Sequence, residues 1–295
     1  MNAKPSAPLI AAAAILAVTI WGASPPMTKI AVTSFDPVLV ALLRTVIGGI
    51  AAAPIVLFTR MEFPRDGVGI GLLLLASFCG YVGFPLLFSI GVAMTSAAHG
   101  ALALAVLPLF TGLFAALVER RMPGRSWWLG TGLALAGELC LVSFRGADLA
   151  DGATLAGDLV VLASATIASA GYVAGARLAQ RGYSSWNTTF WGVVLAGLGL
   201  ICALPFAGAR QDWLAVTGAG WFAVLYLAIG VTIIGYVAWY WALGAGGISR
   251  IAVFQFLQMP VGLAVAIVFL GEALSLPLVV AAILILAGVY IAQRQ

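Results

Sequence analysis

The chain has 295 residues, 63% of them hydrophobic and 8% charged, with a mean hydropathy of +1.13. So few charges cannot coat a soluble globule, and the sequence reads as an all-α integral membrane protein. The net charge of +4 comes from arginines spread over several short loops with no basic stripe, which excludes a nucleic-acid partner.

Spanning about 30 Å of hydrocarbon takes roughly 20 apolar residues per helix. Ten such segments are predicted: 8–30, 37–58, 67–90, 96–118, 126–144, 155–179, 188–207, 216–243, 249–270 and 274–292. The connections are too short for a separate catalytic or ligand-binding domain, so any function lies inside the bundle.

The first segment ends in "WGASPPMTK", residues 21–29. A proline removes one helix donor and collides with the carbonyl four residues earlier, so Pro25 and Pro26 release the carbonyls of Trp21 and Gly22. In hydrocarbon that is tolerated only where the break faces protein or a water-lined cavity, which predicts a cavity at Trp21 and Gly22. Lys29 is expected to end this helix at the outer surface, where a cation suits a helix C-terminus. A cleaved signal peptide is the alternative reading, since Lys4 precedes the apolar run and small residues follow it.

In the second segment, Arg44 lies about two turns in, shallow enough to snorkel or to pair with Asp36. In the third, Tyr81, Pro85 and Phe88 follow i, i+4, i+7 spacing and are expected on one face, with Pro85 releasing the Tyr81 carbonyl. His99, the single histidine, stands near the outer start of the fourth segment, and Pro108 releases the carbonyl of Leu104. Glu138 is the deepest ionisable residue, near the middle of the fifth. The sixth carries Tyr172 opposite Gly171 and Gly175, and Trp186 and Trp191 of the seventh suit an interfacial belt.

The eighth segment adds Tyr236, Trp239 and Tyr240, with Trp239 facing either the cavity or lipid. In "FQFLQMP" of the ninth, Gln255 and Gln258 are i, i+3 neighbours just before Pro260, which releases the Phe256 carbonyl. Two amides one turn apart in an apolar span need partners, whether substrate, cavity water or a neighbouring helix. Cys79, Cys140 and Cys202 fall in three segments with no CxxC spacing, so neither a zinc site nor a disulfide framework is expected, and no cofactor.

With the segments numbered in order, one side of the membrane collects Lys4, Arg60, Arg65, Arg120, Arg121, Arg125, Arg177, Arg181, Arg250 and Arg294. The other holds Lys29, Arg145 and Arg210, along with most of the acidic residues. Ten against three is a strong positive-inside bias, which predicts cytoplasmic termini.

Residues 11–31 lie over 159–179 without a gap, putting Lys29 on Arg177. "LPLFTGLFAALVERRMP" from Leu107 likewise matches "MPVGLAVAIVFLGEALS" from Met259, and "LALAG" (133–137) matches "LILAG" (284–288). Two halves of five helices emerge, 1–148 and 149–295. Because five is odd, the second must enter the membrane from the opposite side, an inverted 5+5 repeat of the transporter kind.

Trp21-Gly22, Lys29, Asp36-Pro37 and Arg44, Pro108 with Glu119, and Pro260 with Gly271-Glu272 before "LILAGVYIA" make the chain resemble the drug/metabolite transporter superfamily, EamA type. The resemblance covers nearly the whole length, and within the family it is nearest the amino-acid exporter branch. It implies that the fifth and tenth helices lie at the periphery, away from the pathway. The second half departs from the pattern in carrying Ser169-Ala170 where the first has Trp21-Gly22, so the halves need not contribute equally.

Nothing reads as catalysis: there is no nucleophile elbow, metal-ligand cluster or P-loop, and no second acid beside Glu138. A multidrug exporter of cations would use Glu138 as its coupling carboxylate if the fifth helix lined the cavity. A carrier of phosphorylated sugars would need several buried basic residues, where only Arg44 is available. A channel would more naturally show rings of like residues from identical subunits. The reading that fits is a carrier of amino acids with aromatic or apolar side chains and related small metabolites, working by alternating access in a bacterial inner membrane. Its direction, export, is implied by the resemblance. The substrate is expected to meet Trp21, Gly22, Tyr81, Phe88, Tyr172, Trp239, Tyr240, Gln255 and Gln258. Lys29, Arg44 and His99 are access or structural charges, and helix ends or Arg44 attract the carboxylate. Partners are the amino-acid substrate and the lipid bilayer, with a homodimer left open.

Overall fold

The structure, a computed structural model, describes residues 5–95, 104, 106–144, 154–258, 260–261, 276–292 and 294, and among these every regular element is helical. His99 lies outside the described residues, as does the side chain of Glu138.

In chain order the elements are α1 (Ala7–Gly22), α2 (Ser24–Ser34), α3 (Pro37–Phe58), α4 (Gly67–Ser77), a first π-helical segment (Phe78–Gly83) and α5 (Phe84–Met94). They continue with α6 (Leu107–Glu119), α7 (Arg125–Phe144), α8 (Leu155–Gln180), α9 (Ser185–Ile201) and α10 (Leu204–Gly208). Then come α11 (Gly218–Leu225), a second π-helical segment (Tyr226–Gly235), α12 (Tyr236–Gly246), α13 (Ile248–Ala252), a 3-10 segment (Val253–Leu257) and α14 (Leu276–Ala292). Among the described residues five helices are long and apolar enough to cross a membrane: Ala7–Ser34, Pro37–Phe58, Gly67–Met94, Leu155–Gln180 and Gly218–Gly246. Shorter apolar helices cover Leu107–Glu119, Ile248–Leu257 and Ile283–Ala292.

Helix starts are fixed by side chains that take up orphan backbone donors. Asp36 accepts from the amides of Val38 and Leu39, Asp66 from Gly69, Thr154 from Gly157 and Thr217 from Gly220. Asp36 is therefore the N-cap of α3 and not a partner for Arg44.

The loops fall on two opposite faces. On one, Arg181 Nη2 pairs with Asp66 Oδ2 at 2.7 Å, Gln180 Nε2 donates to Glu119 Oε1 at 3.4 Å, and Trp127 Nε1 donates to the Ser249 carbonyl at 2.9 Å. On the other, Gln211 Nε2 donates to the Ser34 carbonyl at 3.0 Å and Thr154 Oγ1 to the Met94 carbonyl at 2.8 Å. Arg60, Arg65, Arg120, Arg121, Arg125 and Arg181 all sit in or beside loops of the first face.

The first helix runs on to Ser34, beyond the predicted end at residue 30, so Lys29 stands inside α2 and does not close it. Its ammonium instead donates to the Val92 carbonyl at 3.3 Å, in the last turn of α5. The cation does meet a helix C-terminus, but that of a neighbour.

Small residues let backbones approach, as is usual between membrane helices. A Cβ on Gly49 of α3 would sit 3.1 Å from Gly197 Cα of α9, and one on Gly288 of α14 would sit 2.6 Å from Gly130 O of α7. The first contact belongs to the large core. The second builds a smaller cluster in which Trp127 and Ala134 of α7 pack on Ile285, Val289 and Ala292 of α14, with Val253 and Phe256.

Candidate functional site

Continuity fails first at Ala23, where ψ is −6°, between the last residue of α1 and the two prolines that open α2. Neither proline can donate back into the preceding turn, so the helix is cut and restarted here. The Trp21 side chain then has room to reach across. Its Nε1 donates to the Val231 carbonyl at 3.1 Å, inside the second π-helical segment.

Trp21 joins a buried aromatic group. Its ring stacks on Tyr172 at 5.5 Å and meets Tyr236 at 5.2 Å and Trp239 at 5.4 Å, while Tyr236 also touches Tyr81 at 4.7 Å and Tyr240 at 5.4 Å. These separations suit edge and offset contacts between π systems. Tyr236 is the hub: its hydroxyl donates to the Gly80 carbonyl at 2.9 Å in the first π-helical segment. Gly235 is needed for this closeness, because a Cβ there would collide with the Trp21 indole.

Beside the group lies a cavity of about 20 Å³, room for about one water molecule. Trp21, Ser24 and Pro25 line it from the break, Phe84 and Phe88 from α5, Leu104 and Leu107 from the approach to α6 and its start, Tyr172 from α8, Val231 and Tyr236 from the second π-helical stretch and α12, and Gln258 from just beyond the 3-10 segment. None of these described lining residues is charged.

Off the lining, Arg44 is buried at 1% exposed and reaches the second π-helical segment. Its Nη2 and Nε donate to Thr232 Oγ1 at 3.1 and 3.4 Å, and that hydroxyl donates to the Leu227 carbonyl at 2.8 Å, a reach of five residues that matches π-helical spacing. Nη1 has no hydrogen-bond partner, and Thr232 is the neighbour in sequence of Val231 on the cavity lining. The expectation that Arg44 snorkels or pairs with Asp36 is therefore corrected: α3 turns it inward against the second π-helical segment.

Of the residues expected at the cavity, the structure places Trp21, Phe88, Tyr172 and Gln258 on its lining. Gly22 is buried at the end of α1. Tyr81 is not on the lining. The first π-helical segment inserts an extra residue per turn between it and Phe88, which breaks the i, i+7 face and puts Phe84 beside Phe88 instead, their rings 5.3 Å apart. The carbonyl that Pro85 frees on Tyr81 is already taken by Thr45 Oγ1 at 2.6 Å.

Trp239 is fully buried and meets no lipid; it and Tyr240 form the rear of the aromatic group. The hydroxyls of Tyr81, Thr189 and Tyr240 gather beside Tyr236 without a well-formed hydrogen bond. Gly175 receives the Tyr240 ring. Gln255 is buried with both amide atoms unpartnered and is not on the lining, although 3-10 winding eclipses side chains three residues apart. Residues 159–179 have no matching break: α8 is continuous through Ser169, whose hydroxyl has the Ala165 carbonyl at 2.9 Å and the Leu107 carbonyl at 3.2 Å as its acceptors.

Phe84, Leu107, Val231 and Thr232 have no forecast in the sequence. The available signal was the glycine pairs Gly80/Gly83 and Gly230/Gly235, which fall inside the two π-helical segments.

The sequence profile of the EamA-like transporter family matches the chain twice, over residues 8–143 and 155–293. The chain is 32% identical over 279 residues to "Uncharacterized transporter YdeK" of Bacillus subtilis (strain 168), covering 95% of each. It is 29% identical over 288 residues to a Salmonella typhimurium protein named "Probable amino-acid metabolite efflux pump", covering 94% of this chain and 92% of the other. One crystal structure superposes with a TM-score of 0.76 at 21% identity over 97% of this chain and 98% of that one, a likeness of fold.

Proposed function

The chain belongs to the EamA-like transporter family, and from that premise we propose that it exports amino acids with aromatic or apolar side chains, and related small metabolites, by alternating access. It is a membrane transporter; substrate and direction are the proposal. One observation carries it: the cavity at the helix break has aromatic walls, one amide from Gln258 and no charged lining residue among those described. Such a lining holds an apolar side chain and leaves the polar end of a zwitterion to hydrogen bonds, whereas a desolvated organic cation calls for an opposing carboxylate. The name of the Salmonella relative supports the substrate class. The narrower likeness, to the aromatic amino-acid exporter YddG, belongs to the same proposal.

The architecture we propose is ten membrane helices in two inverted halves, 1–148 and 149–295, with termini and arginine-rich loops in the cytoplasm of a bacterial cell. The π-helical segments support this pairing, since each interrupts the third predicted span of its half. A cavity with room for one water corresponds to a closed carrier that must part its walls to take a solute.

The test is flux into liposomes holding the purified protein, with a panel of labelled amino acids and with lipophilic cations as competitors, with and without a pH gradient. Saturable flux of aromatic and branched amino acids is expected. Transport of the cations without any amino acid would replace this reading with a drug exporter.

A further inference from the structure

We infer that Arg44 is the counter-charge for a carboxylate on the transported solute, so that the carrier selects molecules bearing that anion and rejects amines that lack it. The inference rests on the exporter reading above and adds the group that recognises the substrate's acid end.

Arg44 lies seven residues beyond Pro37, roughly 10 Å along α3, on the buried side of a helix long and apolar enough to cross a membrane. A guanidinium stays protonated there, and buried charges are ordinarily paired. Here Thr232 Oγ1 takes two of the three nitrogens, and Nη1 is left without a partner. The carboxylate that sequence offered it, Asp36, is engaged as the α3 cap.

Thr232 anchors the guanidinium firmly, because its own hydroxyl proton is committed to the Leu227 carbonyl. The side chain is thus held on the second π-helical segment at the residue next to Val231, which lines the cavity together with the walls formed by Tyr172 and Tyr236. If those walls part when the carrier opens, the free N–H is the strong donor that meets an entering solute. A planar guanidinium and a planar carboxylate match in charge and geometry. Ionisable groups inside membrane segments mark substrate pathways by default, and this one has an unfilled bond.

The experiment measures binding and flux separately on the intact protein. Thermal stabilisation of purified protein is read with L-phenylalanine, its methyl ester, 3-phenylpropanoate and phenethylamine, alongside liposome flux of labelled phenylalanine. The parent is expected to be stabilised by both carboxylates, and to bind ester and amine at least about tenfold more weakly, the scale of a lost charge-assisted bond. Arg44→Lys keeps the charge but loses the fork, and is expected to retain the preference at reduced affinity. Arg44→Gln is expected to bring acid and ester to within about twofold of each other, a ratio that a merely structural role would not move.

Should Arg44→Gln fail to fold, the parent and Arg44→Lys still decide the matter. Equal binding of acid and ester by the parent overturns the inference, as does flux that follows chloride replacement by gluconate, which would assign the guanidinium to an inorganic anion. The two readings fail differently. Phenylalanine and its ester carried alike leaves the exporter and removes the carboxylate site, whereas no amino-acid flux with 3-phenylpropanoate still bound does the reverse.

Discussion

The indole nitrogen of Trp21 donates to the carbonyl of Val231 at 3.1 Å, joining the broken first helix to a π-helical turn 210 residues further along the chain. Both ends of the bond belong to interrupted backbone. The bond closes the cavity on one side, and changes at either end are expected to act on transport as well as on stability.

Gly235→Ala drives a Cβ into the Trp21 indole, while at Gly230 the nearest atom is 3.6 Å away. Gly235→Ala is therefore expected to lower the melting temperature in detergent and to cut flux, and Gly230→Ala to leave both near the parent. Trp21→Phe keeps an aromatic ring but removes the indole donor to the Val231 carbonyl, at a cost of about 0.5–1.5 kcal/mol.

Two tyrosines separate bonded from unbonded hydroxyls. Tyr236→Phe removes a donor from the Gly80 carbonyl and is expected to cost about 1–3 kcal/mol, read as a lowered melting temperature. Tyr81→Phe removes a hydroxyl with no well-formed bond and is expected to be nearly neutral by the same measurement.

Gln258 lines the cavity and Gln255 does not. Gln258→Leu keeps bulk and removes the only amide there among the described residues, so substrate preference or apparent affinity should change with stability retained. A substrate profile equal to the parent's across the amino-acid panel would move the binding site elsewhere.

Glu138→Gln is expected to keep substantial flux and any pH dependence, because α7 packs on α14 in a cluster separate from the aromatic group. Loss of flux with folded protein in the membrane would favour a proton-coupled cation exporter.

Cysteines placed at Arg121 and Arg181, in a background without native cysteines, should react only with membrane-permeant reagents in intact cells, and one at Asp212 also with impermeant reagents. The paired loops give the first two a common face and Asp212 the opposite one. The reverse labelling would invert the proposed orientation.

Membrane residence, most helix positions and the break at Trp21 to Pro26 could be read from the sequence, because each follows from local chemistry. Apolar run length sets a span, proline deletes a donor, and Asp36 or Thr154 next to a helix start supplies a cap. The two-faced distribution of arginines follows from the same alternation. Tertiary structure alone decided which way the interior side chains point. Two π-helical segments shifted the register of the helices Gly67–Met94 and Gly218–Gly246, taking Tyr81 off the cavity and bringing in Phe84 and Val231, and no periodicity of 3.6 forecasts that shift. Arg44 shows the same division: its depth was legible from its place in the helix, whereas its inward turn depended on Thr232, 188 residues away, presenting an acceptor that only the folded bundle brings within reach.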